Sequence, residues 1–287
     1  MTRVGVIEPT AAGTARGSEM SNQPHKVVDP IHGLRAFLAL DAIVRLFLWS
    51  GSIVVAVGCI SALGDWPSVP LIRSDFGTAL HWIGTLCQFA FLFNVSYVLL
   101  LSLLRLPIPT PKPGRYTLVP GKPPDRQLVW ACLAATLTKA RYEPPFPGFL
   151  VHHVASLPPF CWIYNSVVGP KTKSCSVTDV KFMDPFGIEV GRNVVFGLGT
   201  IISAHAQGRD DITIRKTRIE DNVIFGGNVI VYDGCTIGQG SVILGGAIVK
   251  SGTVVGENEV WGGIPARKLK TLPPFGSPMS AEDEFSV

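Results

Sequence analysis

The sequence predicts a molecule in two parts: a prism wound from short flat β-strands in the C-terminal half, preceded by a pair of apolar helices long enough to cross a bilayer. Three observations predict it. From Ile219 to Val255 an apolar residue returns at every sixth position, as Ile219, Phe225, Val231, Ile237, Ile243, Val249 and Val255. Leu46–Gly64 and Thr78–Leu104 contain no Asp, Glu, Lys or Arg. The mean hydropathy, +0.33, is high for a water-soluble chain.

The 287 residues accommodate two domains. Residues 1–33 are polar and poor in aromatic side chains, the composition of a disordered tail. Residues 34–105 then form a transmembrane hairpin, since about 20 apolar residues cross a ~30 Å hydrocarbon core and both charge-free runs reach that length. The connection 65–77 holds one basic residue, Arg73. Outside the hairpin stand Arg35, Arg45, Arg105, Lys112, Arg115, Lys122 and Arg126. That asymmetry predicts a multi-pass protein of the plasma membrane with both termini and the prism on the cytoplasmic side. Asp41 and Arg45, four apart at the entrance of the first span, suit an ion pair at the interface.

Residues 106–174 read as a linker and interfacial amphipathic helices. The segment 106–125 is rich in Pro and Lys and runs along the membrane surface. Gln127–Thr138 and Gly148–Val168 are apolar but broken by Arg141 and five prolines, so neither is a third straight span. Trp130, Phe149, Phe160, Trp162 and Tyr164 suit the headgroup layer, with Lys139, Arg141, Lys171 and Lys173 toward lipid phosphates. His152 and His153 fall here, in a packing or interfacial role rather than at a substrate.

Residues 175–270 form the prism, and 271–287 a tail. A period of six is neither helical nor that of a meander, and it points each apolar residue to the prism axis. Gly follows it at 226, 238 and 256, read as the positive-φ residue of each corner. Small or β-branched residues recur four places on, at Val223, Val229, Cys235, Ser241, Ala247 and Thr253, filling the space under the corners. Val190, Phe196 and Ile202 carry the same phase upstream. Between Ile202 and Ile219 the spacing is 17, and the interruption Ala-His-Ala-Gln-Gly-Arg-Asp-Asp at 204–211 reads as a polar loop thrown out of the winding. Such insertions carry function in repeat proteins.

These residues resemble the hexapeptide-repeat acyltransferases, whose fold is the left-handed parallel β-helix. The resemblance rests on the six-residue repeat, the His-bearing loop after Ile202, and the ending Gly263-Ile264-Pro265-Ala266-Arg267. With the membrane helices, it is closer still to the membrane-embedded C-terminal domains of polylysine-synthetase-like peptide synthetases. There too an Ala-His loop precedes the repeat and Trp-x-Gly-Ile-Pro-Ala closes it, here Trp261 to Ala266. The resemblance implies a homotrimer with sites between adjacent prisms. Its donor is a thioester, acetyl-CoA or a longer acyl-CoA, bound as substrate with no permanent cofactor and no metal.

The resemblance gives His205 the role of general base, taking the proton from an acceptor hydroxyl or amine as it attacks the thioester. Imidazole suits this step because its pKa lies near neutrality. The Gly227 amide matches the oxyanion donor and Gly245 a thioester-contacting backbone, against the plainer reading of both as turn glycines. Arg267 and Lys270 match basic positions for the nucleotide phosphates, with Lys250 near the pantetheine path. Arg209, Asp210 and Asp211 would orient His205 or bind the acceptor. The synthetase-like pattern has its Arg five places after the His, whereas Arg209 stands at four, which leaves the acceptor open.

The membrane half favours a lipid or lipid-linked acceptor. Aminoacyl transfer from a carrier-protein thioester, and a non-catalytic trimeric membrane scaffold, are the alternatives. A metal hydratase of the same fold needs three histidines, and of six only His205 lies in the repeat. The six cysteines show no CxxC pair, and Cys235 occupies a small-residue corner. A net charge of +4 suits anionic lipid, and nothing in the pattern suggests nucleic acid.

Overall fold

The computed structural model describes residues 30–63, 75–117, 124–172, 180–209 and 211–277. Residues 1–29 of the predicted tail, most of the connection with Arg73, Lys122, Lys173, Asp210 and residues 278–287 lie outside the described residues.

Two long helices, α1 (Pro30–Leu63) and α2 (Asp75–Arg105), pack against each other. Phe37–Ala62 and Thr78–Arg105 are long and apolar enough to cross a membrane. Much of their apolar surface faces outward, as at Val54 (70% exposed) and Leu86 (67%). A short strand, β1 (Gly114–Thr117), follows, then α3 (Arg126–Tyr142), a 3-10 turn at Gly148–Leu150, α4 (Val151–Val154) and α5 (Phe160–Val167). Asp125 caps α3 by accepting from the Gln127 N–H at 2.7 Å.

The Asp41–Arg45 pair is present, at 3.0 Å, and α3 extends it: Lys139 lies 3.5 Å from Asp41 and Glu143 lies 3.2 Å from Arg45. Two interfacial expectations are corrected. Arg141 is buried, its guanidinium 4.3 Å from the centre of the Tyr164 ring and 5.3 Å from that of Tyr142. Tyr164 is buried as well, because α5 turns that face to α2 and α3 rather than to lipid. Cation–π stacking offsets part of the cost of burying the Arg141 charge where water is excluded.

The prism runs through β2 (Lys171–Thr172), β3 (Lys181–Phe182), β4 (Ile188–Val190), β5 (Val195–Phe196), β6 (Ile201–Ile202), β7 (His205–Gln207), β8 (Asp211–Ile214) and β9 (Thr217–Ile219). It continues through β10 (Ile224–Phe225), β11 (Ile230–Val231), β12 (Thr236–Ile237), β13 (Val242–Ile243), β14 (Ile248–Val249), β15 (Val254–Val255), β16 (Glu259–Gly263) and β17 (Ala266–Thr271). Three sheets result: β3, β6, β11 and β14 form the first face, β2, β4, β9, β12 and β15 the second, and β5, β10, β13, β16 and β17 the third. Pairing is parallel with partners eighteen residues on: Ile224 with Val242, Ile230 with Ile248, Thr236 with Val254. Each coil therefore crosses three flat faces of six residues, as the repeat requires. The predicted axial residues are buried to 2% exposure or less from Ile219 to Val255, each side chain contributing about 1.5–3 kcal/mol.

The corner glycines act differently from the expectation. Positive φ falls three residues ahead of each apolar position, at Asn222, Asn228, Gly234, Gly240, Gly246, Gly252 and Asn258. Gly226 is needed for space, since a Cβ there would stand 2.4 Å from the Gly245 backbone nitrogen one coil on. Neighbouring coils are only about 4.8 Å apart, which leaves no room for a side chain directed at backbone.

Candidate active site

The interruption of the winding is a β-hairpin rather than an irregular loop. Ile201 pairs with Ile230, 29 residues on where a plain coil takes eighteen, so eleven residues are added at one corner. Those residues form β7 and β8, antiparallel with His205 opposite Ile214, and the Gly208 N–H donates to the Asp211 carbonyl at 2.8 Å to close the turn. β1 adds to the outer edge of β8, Gly114 opposite Ile214, so the residues following the second helix hold the hairpin.

His205 lies where the chain leaves the first face for the second. Its N–H donates to Ser203 Oγ at 3.2 Å, and Ala204 before it is fully buried. A Cβ at Gly187 would stand 2.6 Å from the Ala204 Cβ, so Gly187 admits this close approach. The approach brings Asp184, one coil earlier, to His205, and Oδ2 accepts a hydrogen bond from Nδ1. The Asp184 side chain is 5% exposed and the His205 side chain 34%, so the carboxylate is enclosed and the imidazole opens to the surface. With Nδ1–H held by Asp184, the lone pair sits on Nε2.

On the next coil Asp233 is fully buried, with Arg215 Nε at 2.7 Å and Ser251 donating to Oδ1 at 2.5 Å. The hydrogen bond that His205 donates to Asp184 raises the His205 pKa above its ordinary value of 6.5. Burial opposes this, and the charges of Asp184 and Asp233 add to the rise. Asp184→Asn is therefore expected to lower the His205 pKa and to move the ascending limb of a pH–rate profile to lower pH. Nuclear magnetic resonance titration of the imidazole checks this without a turnover assay. In stability the sign is that of a raised base. The pair's contribution is full below the unfolded pKa and is lost as pH rises through the folded one.

The other predicted residues divide. Lys250 lies on the same edge as His205, two coils on, exposed, and its carbonyl accepts from Cys235 Sγ at 3.0 Å, consistent with packing for that cysteine. Gly227 and Gly245 lie on a different edge, where the third face returns to the first. A Cβ at Gly245 would stand 3.3 Å from the Gly227 oxygen. Arg267 and Lys270 lie on β17, the hairpin that ends the third face, with Lys268 between them paired to Glu259 at 2.6 Å. Arg209 is exposed at the hairpin turn, and Asp210 is outside the described residues. Asp211 turns to β1 instead of His205, meeting Arg115 Nε at 2.6 Å. Sequence reasoning missed Asp184. Its one signal is a carboxylate about a coil ahead of the histidine, which the added hairpin puts out of phase.

The site lies at the base of the prism against α3. Tyr142 Oη accepts from the N–H of Phe182, two residues from Asp184, at 3.0 Å and donates to the Val180 carbonyl at 3.2 Å. The Cys132 thiol on α3 is pushed up by burial and, second, by the Asp184 charge. Among the described residues no group of three or more His, Cys, Asp or Glu side chains could hold a metal ion.

No family model matches the chain. It is 32% identical over 104 residues to "Putative acetyltransferase YvoF" of Bacillus subtilis (strain 168), a match spanning 33% of this chain and 60% of that one. Among solved structures, it is similar to a maltose O-acetyltransferase from Clostridium difficile 630 at 19% identity and a TM-score of 0.36, covering 52% of this chain and 90% of that one. A galactoside acetyltransferase in complex with coenzyme A matches at 18% identity and a TM-score of 0.35, covering 49% and 80%. An N-acyltransferase from Bacillus cereus, AntD, in complex with dTDP and coenzyme A, matches at 20% and 0.27, covering 29% and 51%. The chain thus spans about three fifths of the curated relative and half of AntD.

Proposed function

We propose that this protein is a membrane-bound acyltransferase. It moves an acyl group from acetyl-CoA or a longer acyl-CoA to a hydroxyl or amine of a lipid or lipid-linked acceptor. The observation that carries the reading is the Asp184–His205 pair, an enclosed carboxylate behind an accessible imidazole on the edge of the prism. Asp184 fixes the tautomer and supports the imidazolium as it forms. Nε2 takes the acceptor's proton as oxygen or nitrogen attacks the thioester carbonyl. Collapse of the tetrahedral intermediate breaks the carbon–sulfur bond, and the proton leaves with the CoA thiol.

The oxyanion needs a donor, and Gly227 lies on another edge of the same prism. A left-handed parallel β-helix that trimerises through the intervening face brings the Gly227 and Gly245 edge of one copy to the His205 edge of the next, with Lys250, Arg267 and Lys270 available to CoA. Three copies per particle are the expected result of mass measurement by native mass spectrometry, and a monomer that turns over substrate would overturn this arrangement. The lipid acceptor is supported by the contact of the strand before Asp184 with α3, the helix that packs on two helices long and apolar enough to cross a membrane. The positive-inside asymmetry supports a prism on the cytoplasmic side, with the donor.

The test is thioester cleavage by purified protein in lipid vesicles, wild type against His205→Ala, across acetyl-CoA and longer acyl-CoAs with total membrane lipid as acceptor. Turnover that disappears with His205 supports the reading, and thioester consumed equally by both proteins would sink it.

A further inference from the structure

The segment between α3 and α5 makes polar contacts with the two long helices well inside their apolar lengths. Trp49 Nε1 donates to the Phe146 carbonyl at 2.9 Å. Asn94 Nδ2 donates to the Pro147 carbonyl at 3.2 Å, and Asn94 Oδ1 accepts from the Leu150 N–H at 3.0 Å. Trp49 lies four residues beyond Arg45, the last charged residue entering the first apolar run, or about 6 Å at ~1.5 Å per residue. Asn94 lies eleven residues before Arg105, about 16 Å along α2 by the same rise. Residues 146–150 therefore sit below the charged ends of both helices.

The contacts descend in order. Lys139 meets Asp41, Glu143 meets Arg45, and Phe146 meets Trp49. The chain then climbs back, because the ring of His152 lies 6.1 Å from that of Tyr142, whose hydroxyl holds the base of the prism. Prolines at 144, 145, 147, 158 and 159 keep this stretch from becoming a straight helix. Irregular backbone in hydrocarbon must find its hydrogen bonds inside the protein. That requirement accounts for Asn94, a fully buried amide in the middle of an apolar helix, with both ends of its amide group turned to backbone of this segment. On the outward side stand Phe146 (84% exposed), Phe149 (61%) and Leu157 (56%).

We propose that residues 144–157 form a re-entrant loop that inserts Phe146 and Phe149 into the acyl-chain region of the leaflet facing the prism. The inference rests on α1 and α2 spanning the bilayer, and not on the acyltransferase reading. The pair at His205 is thereby held to a membrane-inserted element through Tyr142, a consequence that the interfacial placement of these residues would lack.

The experiment places a photoreactive p-benzoylphenylalanine at position 146, 54 or 269 of the full chain in phosphatidylcholine–phosphatidylglycerol vesicles. Lipid adducts are then located by mass spectrometry. Position 54 reports the span, and exposed Leu269 on β17 reports the prism. Adducts on acyl carbons at 146 as abundant as those at 54, with none at 269, are expected. Acyl adducts at 54 with only headgroup adducts or none at 146 would overturn the loop while leaving the spans. No adduct at 54 would remove the spans and the loop together. Asn94→Leu should reduce the adducts at 146 and leave those at 54 unchanged, and equal adducts at 146 would remove Asn94 from the account.

Discussion

His205→Ala is expected to lower acyl transfer by about 10²- to 10⁴-fold, the usual contribution of a positioned general base. The substitution also leaves the Asp184 carboxylate enclosed without its partner, at a cost of roughly 1–3 kcal/mol. A loss of activity therefore needs a second variant to separate chemistry from folding. His205→Gln supplies one, because its amide N–H can donate to Asp184 while carrying no titratable lone pair. Both variants should keep the β-rich circular dichroism spectrum of the wild type, and both should lose turnover. Full activity in either would dismiss His205 as the base. Loss in the alanine variant alone would mean that the imidazole serves Asp184 and the hairpin, and not the proton transfer.

Why His205 was legible and Asp184 was not follows from how each is encoded. The period of six marks its own interruption, so a histidine inside the interruption stands out without any structure. Asp184 precedes the regular winding, and its distance to His205 depends on a corner that no repeat predicts. The axial residues were legible for the same reason as the interruption, since one side chain in six has nowhere to point but inward. The corners were harder, because two chemically different demands both select glycine. Positive φ is met by Asn or Gly three residues before each axial residue, and close approach of coils by Gly just after it. The hairpin is not legible as such because its outer strand, β8, pairs with β1, some hundred residues earlier, and local sequence carries no trace of such a partner. The inward faces of Arg141 and Tyr164 were missed for a related reason: their neighbours lie on separate helices, and amphipathic composition alone suggested lipid.

The two demands on glycine make predictions of different size for the same substitution. At Gly246, φ is +72° and a Cβ would meet nothing within 4 Å. Alanine there costs about 1–2 kcal/mol, the ordinary penalty of an L-residue in the left-handed region, and asparagine costs less, since Asn already fills the same corner slot at 222, 228 and 258. At Gly226 the backbone is unexceptional, but the added Cβ stands 2.4 Å from the Gly245 nitrogen and 2.7 Å from its Cα. Neither atom can rotate away. Relief requires separating two coils by about an ångström, given ordinary carbon contacts of about 3.5–4.0 Å. That movement pulls on the hydrogen bonds from Gly226 N–H to the Ile243 carbonyl at 2.8 Å and from Ile224 N–H to the Ser241 carbonyl at 3.0 Å. Overpacking of this kind costs roughly 3 kcal/mol or more, because backbone has no alternative rotamer. Thermal unfolding in lipid nanodiscs should therefore rank wild type and Gly246→Asn together, Gly246→Ala slightly lower, and Gly226→Ala far below. If the two alanine variants melt together, the spacing of the coils is not what selects glycine after the axial residue.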